Sequence, residues 1–478
     1  TDTSVDGSVA GSGPDEIVFA VGPGVIALGG TALPTITQTL TITGPGAARL
    51  ALDGGQASRL LEIAAGVTAN VSGLTLRNGR VMGGDGGAIL NAGTLSISAC
   101  VFSGNAVTAN GGAVRNSGSL MVTGTAFSTN SAQNGGAIYS SVSLQVSNST
   151  FEGNFTGGIA PFAGGGGAVL SAGPTTVTNS TLVANSAANG GGIVATGGAL
   201  TVSNSTLTDN TAIVAGGGIR SSSVTVLLQA ALVADNLHGA TREDVAAAVD
   251  PTSADNVIGV DTGLSGITHG ANGNQIGTAA VPLLPGLGPL QNNGGPTETR
   301  AVLALSPALD HGSAATCAAA DQRGIPRPLD GDGSGGAACD VGAFEAFHVG
   351  TSGLSFFPLT PCRIADTRGP VGVAGGPALA ANATRLFHAG GQCGIPITAK
   401  AVAFNLTVIA GEDGDLRLYP AGAEAPLAST LNFARGRTRA NSALAPIGAE
   451  GKIALQCDMA AGSTSTAHLV LDVFGYLQ

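Results

Sequence analysis

Tryptophan is absent from the 478 residues, lysine occurs only as Lys400 and Lys452, and charged side chains make up just 10% of the chain. So sparse a charge leaves serine, threonine, asparagine and the backbone itself to face water. Lysine and arginine number 19 against 30 acids, for a net charge of −11. The basic footprint that nucleic acid or an anionic membrane surface requires is therefore missing. Long apolar runs are missing too: the longest candidate, 224–234, is interrupted by Gln229 and is far shorter than the roughly 18 residues of a spanning helix, so it reads as a pair of strands. Cysteine is present without the Cys-x-x-Cys spacing of zinc or redox sites. Of Cys100, Cys317, Cys339, Cys362, Cys393 and Cys457, the reading expects Cys317 to pair with Cys339 across a Gly-rich loop and Cys362 with Cys393. Both bridges would require an oxidising compartment, and buried free thiols are the alternative. A first residue of Thr1 instead of methionine fits a mature exported chain.

Glycine is abundant, with 77 residues, and it marks a period of about 25 between Gly86 and Asn236. One mark reads Gly86-Gly87-Ala88-Ile89, Gly111-Gly112-Ala113-Val114, Gly135-Gly136-Ala137-Ile138 and Gly166-Gly167-Ala168-Val169, with looser forms ending at Ile193 and Ile219. The other pairs Phe102 with Asn105, Phe127 with Asn130, Phe151 with Asn154, Leu182 with Asn185, Leu207 with Asn210 and Leu232 with Asp235. One step is long, and its surplus lies in 157–165, which reads as a loop pushed out of one coil. Between the marks run segments such as Leu95-Ser96-Ile97-Ser98 and Leu120-Met121-Val122-Thr123, apolar at every second place. That alternation predicts strands. A unit this short cannot bury its own apolar face, so the period predicts a solenoid whose coils stack like residues at roughly 4.8 Å. Glycine would supply positive φ or close backbone approach at one corner. Asn105, Asn130, Asn154, Asn185 and Asn210 would occupy another, tolerating the left-handed conformation and bonding amide to amide from coil to coil. Asn-Ser-Thr at Asn148, Asn179 and Asn204 matches a glycosylation acceptor but recurs in phase with the coils, so it reads as ladder and outward strand positions.

These marks resemble the repeats of polymorphic outer-membrane-type proteins and related secreted bacterial β-helix proteins over about residues 15–347. The resemblance implies a right-handed parallel β-helix, with Leu182, Leu207 and Leu232 departing from the family's phenylalanine. The expected organisation is an N-terminal cap over 1–30, a β-helix over 31–300, a closing segment over 301–350 and a β-rich, sandwich-like domain over 351–478. Phase is lost after Asn236, and 241–255 reads as a short helix or an exposed loop. The stretches 292–297, 306–310, 321–324 and 339–345 resemble the closing segment of exported choice-of-anchor β-helix proteins, which implies secretion and surface display. The last domain resembles a recurrent C-terminal module of exported bacterial proteins, with capping and attachment as its expected role.

Since parallel β-helices include pectate lyases and polygalacturonases, a polysaccharide-degrading enzyme is the rival to a structural protein. Glycoside hydrolysis needs paired carboxylates. Across 82–236 the acids are Asp85, Glu152, Asp209 and Asp235, the bases Arg115 and Arg220, and no histidine precedes His238. Asp209 and Asp235 lie one coil apart and are the pair worth placing, while His269 and His311 lack an evident partner in sequence. Asp330, Asp332, Ser334 and Asp340 resemble the start of a structural calcium loop, but Val341 stands where a bidentate acid belongs, and a solvated Asp-Gly turn is the alternative. Arg323, Arg327, Arg363 and Arg368 lie near Asp321, Asp330 and Asp366 and suggest ion pairs. Arg435, Arg437 and Arg439 alternate along an expected strand and offer a docking stripe. The function expected is that of a secreted, non-catalytic surface element, joined head to tail with itself or bound to a surface glycan or protein.

Overall fold

The computed structural model describes residues 15–19, 21–157, 164–347, 354, 356–372 and 374–478. Parts of the expected cap and of the expected loop over 157–165, and the start of the C-terminal region at Ser355, lie outside the described residues. The chain forms two units, Thr1–His348 and Val349–Gln478.

In the first unit the alternating segments stack coil upon coil. Leu95 and Ile97 of Thr94–Ser98 turn inward, Leu120 and Val122 of Ser119–Thr123 lie in register above them, and Leu144 and Val146 of Ser143–Ser147 above those. Four walls result. One has nine strands, from Asp15–Val18 to Val226–Gln229, and a second has eleven, from Gly24–Ala27 to Gln275–Ile276. A third, from Leu61–Ile63 to Leu264–Ser265, and a fourth, from Arg80–Val81 to Thr241–Arg242, close the coil. Pairing is parallel except where Thr241–Arg242 folds back on Leu237–His238. The fold is thus a parallel β-helix. Its described first strands, Asp15–Val18 and Gly24–Ala27, already pair with Leu40–Thr43 and Leu50–Asp53, so they belong to the first coil and not to a separate cap.

The inward column of the second wall is Leu76, Phe102, Phe127, Phe151, Leu182, Leu207, Val233, Ile258 and Ile276. Phe102, Phe127 and Phe151 stack with ring centroids 4.9 and 4.6 Å apart. The last repeat mark is therefore one residue off in the sequence reading: Val233 and Asn236 continue the columns, whereas Leu232 faces outward and Asp235 sits before the corner. Asn105, Asn130, Asn154, Asn185, Asn210 and Asn236 are fully buried, and each Nδ2 from Asn105 to Asn210 donates to the next Oδ1 at 2.8–2.9 Å. Asp244 ends the ladder by accepting from both Asn236 N and Nδ2 at 2.9 Å. The ladder asparagines are not themselves left-handed. The residue before each one is, as at Thr129 (φ 54°), Ala184 (φ 54°) and Asp209 (φ 58°). Asn148, Asn179 and Asn204 are left-handed corner residues instead of ladder or outward strand positions.

The GGA mark has two different glycines. Gly111 holds φ 68°. At Gly112 a Cβ would fall 2.1 Å from Gly136 O, so only glycine lets adjacent coils approach. The 241–255 segment is neither a helix nor an exposed loop: Val245–Ala248 joins the third wall, and Glu243 and Asp244 are buried.

From Leu287 the chain leaves the coils as an antiparallel hairpin, Leu287–Gln291 with Thr299–Val302, and runs over the outer face of the second wall. The second unit packs a five-stranded antiparallel sheet, including Phe356–Asp366, Thr466–Leu477, Ala401–Ala410 and Thr438–Pro446, against a four-stranded one around Phe387, Phe404, Leu406, Leu455 and Leu471. Disulfides join Cys317 to Cys339 and Cys362 to Cys393. Cys100 and Cys457 are free and buried, and burial pushes their thiols up to about 11 and about 12.

Asn154→Ala takes away the acceptor of Asn130 N and Nδ2 and the side-chain donor to the Phe127 carbonyl at once, while Asn185 Oδ1 keeps the backbone N–H of residue 154. With about 1–3 kcal/mol for each unmade buried bond, denaturant titration should show a loss of several kcal/mol. Phe127→Leu, which copies the later coils, should cost no more than about 1–2 kcal/mol.

Candidate functional site

Several acids of the coils are placed by arginine. Arg115 Nε lies 3.5 Å from Asp85 Oδ2, and Arg242 Nη2 lies 3.0 Å from Asp235 Oδ1. Arg300, arriving from the closing hairpin, pairs with Asp209 and donates to Thr208 Oγ1 at 2.9 Å. Asp209 and Asp235 are therefore each held by a different guanidinium. Burial raises the Asp235 carboxyl above its usual range, opposed by Arg242. His269 Nδ1 accepts from Ile276 N at 3.0 Å, and His311 Nδ1 lies 3.3 Å from Leu309 O.

Two glutamates that the sequence did not bring together share one groove. Where the tip of the closing hairpin meets the second wall, a cavity of about 260 Å³ is lined by Ser128, Thr150, Glu152, Asn292, Pro296 and Glu298. Glu152 sits on a coil strand and Glu298 comes from 146 positions later in the chain, so only the return of the closing segment makes them neighbours.

That return is fixed by polar bonds along one row of the wall. Thr150 Oγ1 donates to Glu298 O at 2.6 Å and Thr181 Oγ1 to Gln322 Oε1 at 2.7 Å, while Thr206 Oγ1 accepts from Ala343 N at 3.0 Å. Asn179 and Asn204 donate their Nδ2 to Ala320 O and Thr316 O, at 2.9 and 3.0 Å. Both amide nitrogens of these acceptor-like tripeptides are thus engaged beneath the segment. Further along, Val302, Ala308, Val341 and Phe344 cover the outward Leu232, Ala234 and Val257.

A buried charged cluster closes the segment on itself. Arg327 Nε lies 3.4 Å from Glu345 Oε2, and its two terminal nitrogens donate to Asp340 O at 2.8 Å and Gly342 O at 2.7 Å. Arg323 pairs with Asp321 at 2.7 Å and lies over the Phe344 ring at 3.5 Å. The expected pairing of Arg327 with Asp330 gives way to Glu345, the carboxylate buried beside it. Asp340 is also drawn in: it accepts from Asp310 N at 2.7 Å and from Ala346 N, so it does not face the Asp-Gly loop. The acids that do converge are Asp310, Asp330 and Asp332, with ligand-type oxygens within 4.8 Å of one another, while Ser334 donates its amide to Asp332 at 2.7 Å.

In the second unit Arg363 pairs with Asp366 at 3.1 Å and Asp472 at 2.8 Å, and Arg368 with Asp366 at 2.7 Å. Arg435, Arg437 and Arg439 are exposed but do not alternate along one strand, because Arg435 and Gly436 form a turn and only Arg439 lies within Thr438–Pro446.

The nine-stranded wall differs from the others. From Leu40–Thr43 to Val226–Gln229 none of its strands carries a charged side chain, and its outward residues include Ser96, Ser98, Thr123, Ser147, Thr176, Thr178 and Ser203. Thr123 bonds Ser147 at 3.0 Å and Thr178 bonds Ser203 at 3.1 Å through their hydroxyls.

Residues 59–228 match the family model described as "Right handed beta helix region". The fold is accordingly a right-handed parallel β-helix with antiparallel sheets after it. No curated protein matches the chain. Among solved structures, the chain is similar at 10% identity to the enzymatically active domain of bacteriophage CBA120 tailspike protein 4, over 97% of this chain and 64% of that one, with a TM-score of 0.19. The chain therefore spans less than two thirds of that structure, and a likeness of that degree bears on neither mechanism nor substrate.

Burial pushes the Glu345 carboxyl up to about 7 and that of Asp340 up to about 6. Groups raised in the folded state give stability that is complete below their unfolded values near 4 and fades as pH rises through the folded values. Asp366 is shifted the other way, held low first by the Arg368 hydrogen bond, so its contribution is present above about pH 4 and fades below it. Calorimetry across a pH series should show the first unit's unfolding midpoint falling by a few degrees between about pH 4 and 8, with a shallower slope in Glu345→Gln. The second unit should lose stability only below about pH 4.

Proposed function

We propose that the chain is an exported, non-catalytic structural protein whose β-helix serves as a stiff element of an extracellular assembly or adhesive surface. The observation that carries this reading is the disposition of the coil acids. Asp85, Asp209 and Asp235 are each spoken for by an arginine, and from Leu40–Thr43 onward the strands of the hydroxyl-lined wall carry no charge. Catalysis by carboxylates needs two of them with different protonation states facing one substrate. An arginine partner turns each of these three acids to structural use. Export is supported by the two disulfides. The likeness of 292–345 to choice-of-anchor closing segments supports display at a surface, with the second unit in a capping or attachment role. The partner in this reading is another copy of the chain or a surface glycan or protein.

A polysaccharide-degrading activity is the second reading, and Glu152 with Glu298 in their common groove is what favours it. Incubating the protein with polygalacturonate, alginate and neutral polysaccharides should release no new reducing ends. Release that disappears in Glu152→Gln or Glu298→Gln would transfer the function to that groove and end the structural reading.

A further inference from the structure

We infer that the exposed arginines Arg435, Arg437 and Arg439 of the second unit dock on the Asp310, Asp330 and Asp332 group in the first unit of another copy, joining chains head to tail. The inference rests on the assembly reading above and names its contact.

Charge is divided unevenly between the two units. Residues 1–348 hold 22 acids and 10 bases, whereas 349–478 hold 8 acids and 9 bases. Four of the second unit's nine bases are matched within it: Arg363 and Arg368 with Asp366, Arg417 with Asp458, and Lys452 with Glu450. Arg435, Arg437 and Arg439 are different, being exposed within five residues and lacking any ion pair among the described residues. Arg435 N donates to Asp413 Oδ1 at 2.7 Å, which fixes the turn, while the three exposed guanidiniums stay open to an external anion.

The first unit offers the complement. Asp310, Asp330 and Asp332 bring three carboxylates within 4.8 Å and have no arginine or lysine partner among the described residues. What holds them is backbone: Asp310 accepts the Gly331 and Asp332 amides, and Asp330 those of Gly333 and Gly335. Those bonds set the loop's shape but leave its charge unneutralised. A planar arginine fork matches a carboxylate better than a lysine ammonium does, and the only basic side chains in the exposed trio are arginines. The contact joins unlike patches, and where it does not close on itself every copy added exposes a fresh patch of each kind.

Sedimentation velocity of the full chain tests this. The wild type should associate at about 0.05 M salt and separate at about 0.5 M, where screening shortens to a few ångströms. Arg435→Gln/Arg437→Gln/Arg439→Gln should weaken association at least about tenfold without moving the unfolding midpoint, since rim charges act mainly on encounter and register. Asp310→Asn/Asp330→Asn/Asp332→Asn keeps an acceptor oxygen at each site and should weaken association equally. A mixture of an Arg→Glu triple variant with an Asp→Lys triple variant should recover mixed assembly that neither forms alone. Association of the wild type that persists in the arginine variant overturns this contact and leaves the assembly reading standing. A wild type that stays monomeric at every salt overturns both, and so does Arg-dependent binding of polygalacturonate by such a monomer, which would give the trio to an anionic polymer.

Discussion

The structure depends on keeping the corner between the second and fourth walls satisfied without water. At that corner the backbone of every coil turns inside the solenoid, where an unpaired N–H or C=O costs about as much as several buried methylenes gain. One asparagine per coil meets the demand in both directions. Asn130, for example, gives Nδ2 hydrogens to Phe102 O and Asn154 Oδ1 while its own Oδ1 receives Asn105 N and Nδ2. A side chain that serves the coil before it and the coil after it cannot shift without breaking bonds in both. This explains how the chain absorbs its insertion. Asn154 and Asn185 are 31 positions apart where the other ladder steps are 24 to 26, yet their amide bond is the same 2.9 Å.

A ladder must end, and both of its ends are handled by residue chemistry. Asparagine both gives and receives, so a terminal member would leave a dangling donor. Asp244, which only receives when ionised, takes the two Asn236 hydrogens and uses its second oxygen for Val260 N at 2.9 Å. Burial pushes that carboxyl up to about 7, which is the cost of stopping a buried column with a charge. The next corner along starts a shorter ladder, Asn256 to Asn274 at 2.8 Å. The closing segment answers a related problem on the outside. Over the last coils the second wall presents Leu232, Ala234 and Val257 to what would be solvent, and the segment covers them with Val302, Val341 and Phe344. Over earlier coils the same wall presents Thr150, Thr181 and Thr206, and the segment meets these with Gln322 and backbone groups.

How far the sequence could be read follows from the range of each interaction. The period, the two glycine roles and the inward alternation are local and recur, so the β-helix and its inner columns are legible from residues such as Leu95, Ile97 and Phe102. Both disulfide partners are near neighbours in sequence and were legible too. The register of the last mark was not, because Leu232 and Val233 are equally apolar and only the closing segment decides which one faces outward. Nor were the partners of Asp209 and Arg327 legible. Arg300 lies 91 positions beyond Asp209, and Glu345 competes with the nearer Asp330 for Arg327 through burial that no local pattern records. The common groove of Glu152 and Glu298 stayed hidden for the same reason. The tendency of asparagine to adopt left-handed backbone led the reading one residue astray, since what the ladder positions require is burial and a two-way amide, and the strained φ falls to the residue before.

The use made of buried charge bears on what the molecule is for. Arg327, Glu345 and Asp340 are, with Asp321, buried ionisable groups of the closing segment, and a catalyst would aim such groups at a substrate. Here their free valences are taken by backbone: Glu345 by Leu329 N and Asp340 N, Arg327 by the carbonyls of Asp340 and Gly342. Removing one member of a cluster like this leaves the others charged and dry, at a cost of about 3–5 kcal/mol, so the cluster enforces one way of laying the segment on the wall. Charge inside the unit therefore selects geometry, while the charge left over at the surface is small in amount, with the acidic excess confined to the first unit. A protein arranged in this way puts its polar chemistry into persistence of shape, which is the property the proposed structural role would draw on.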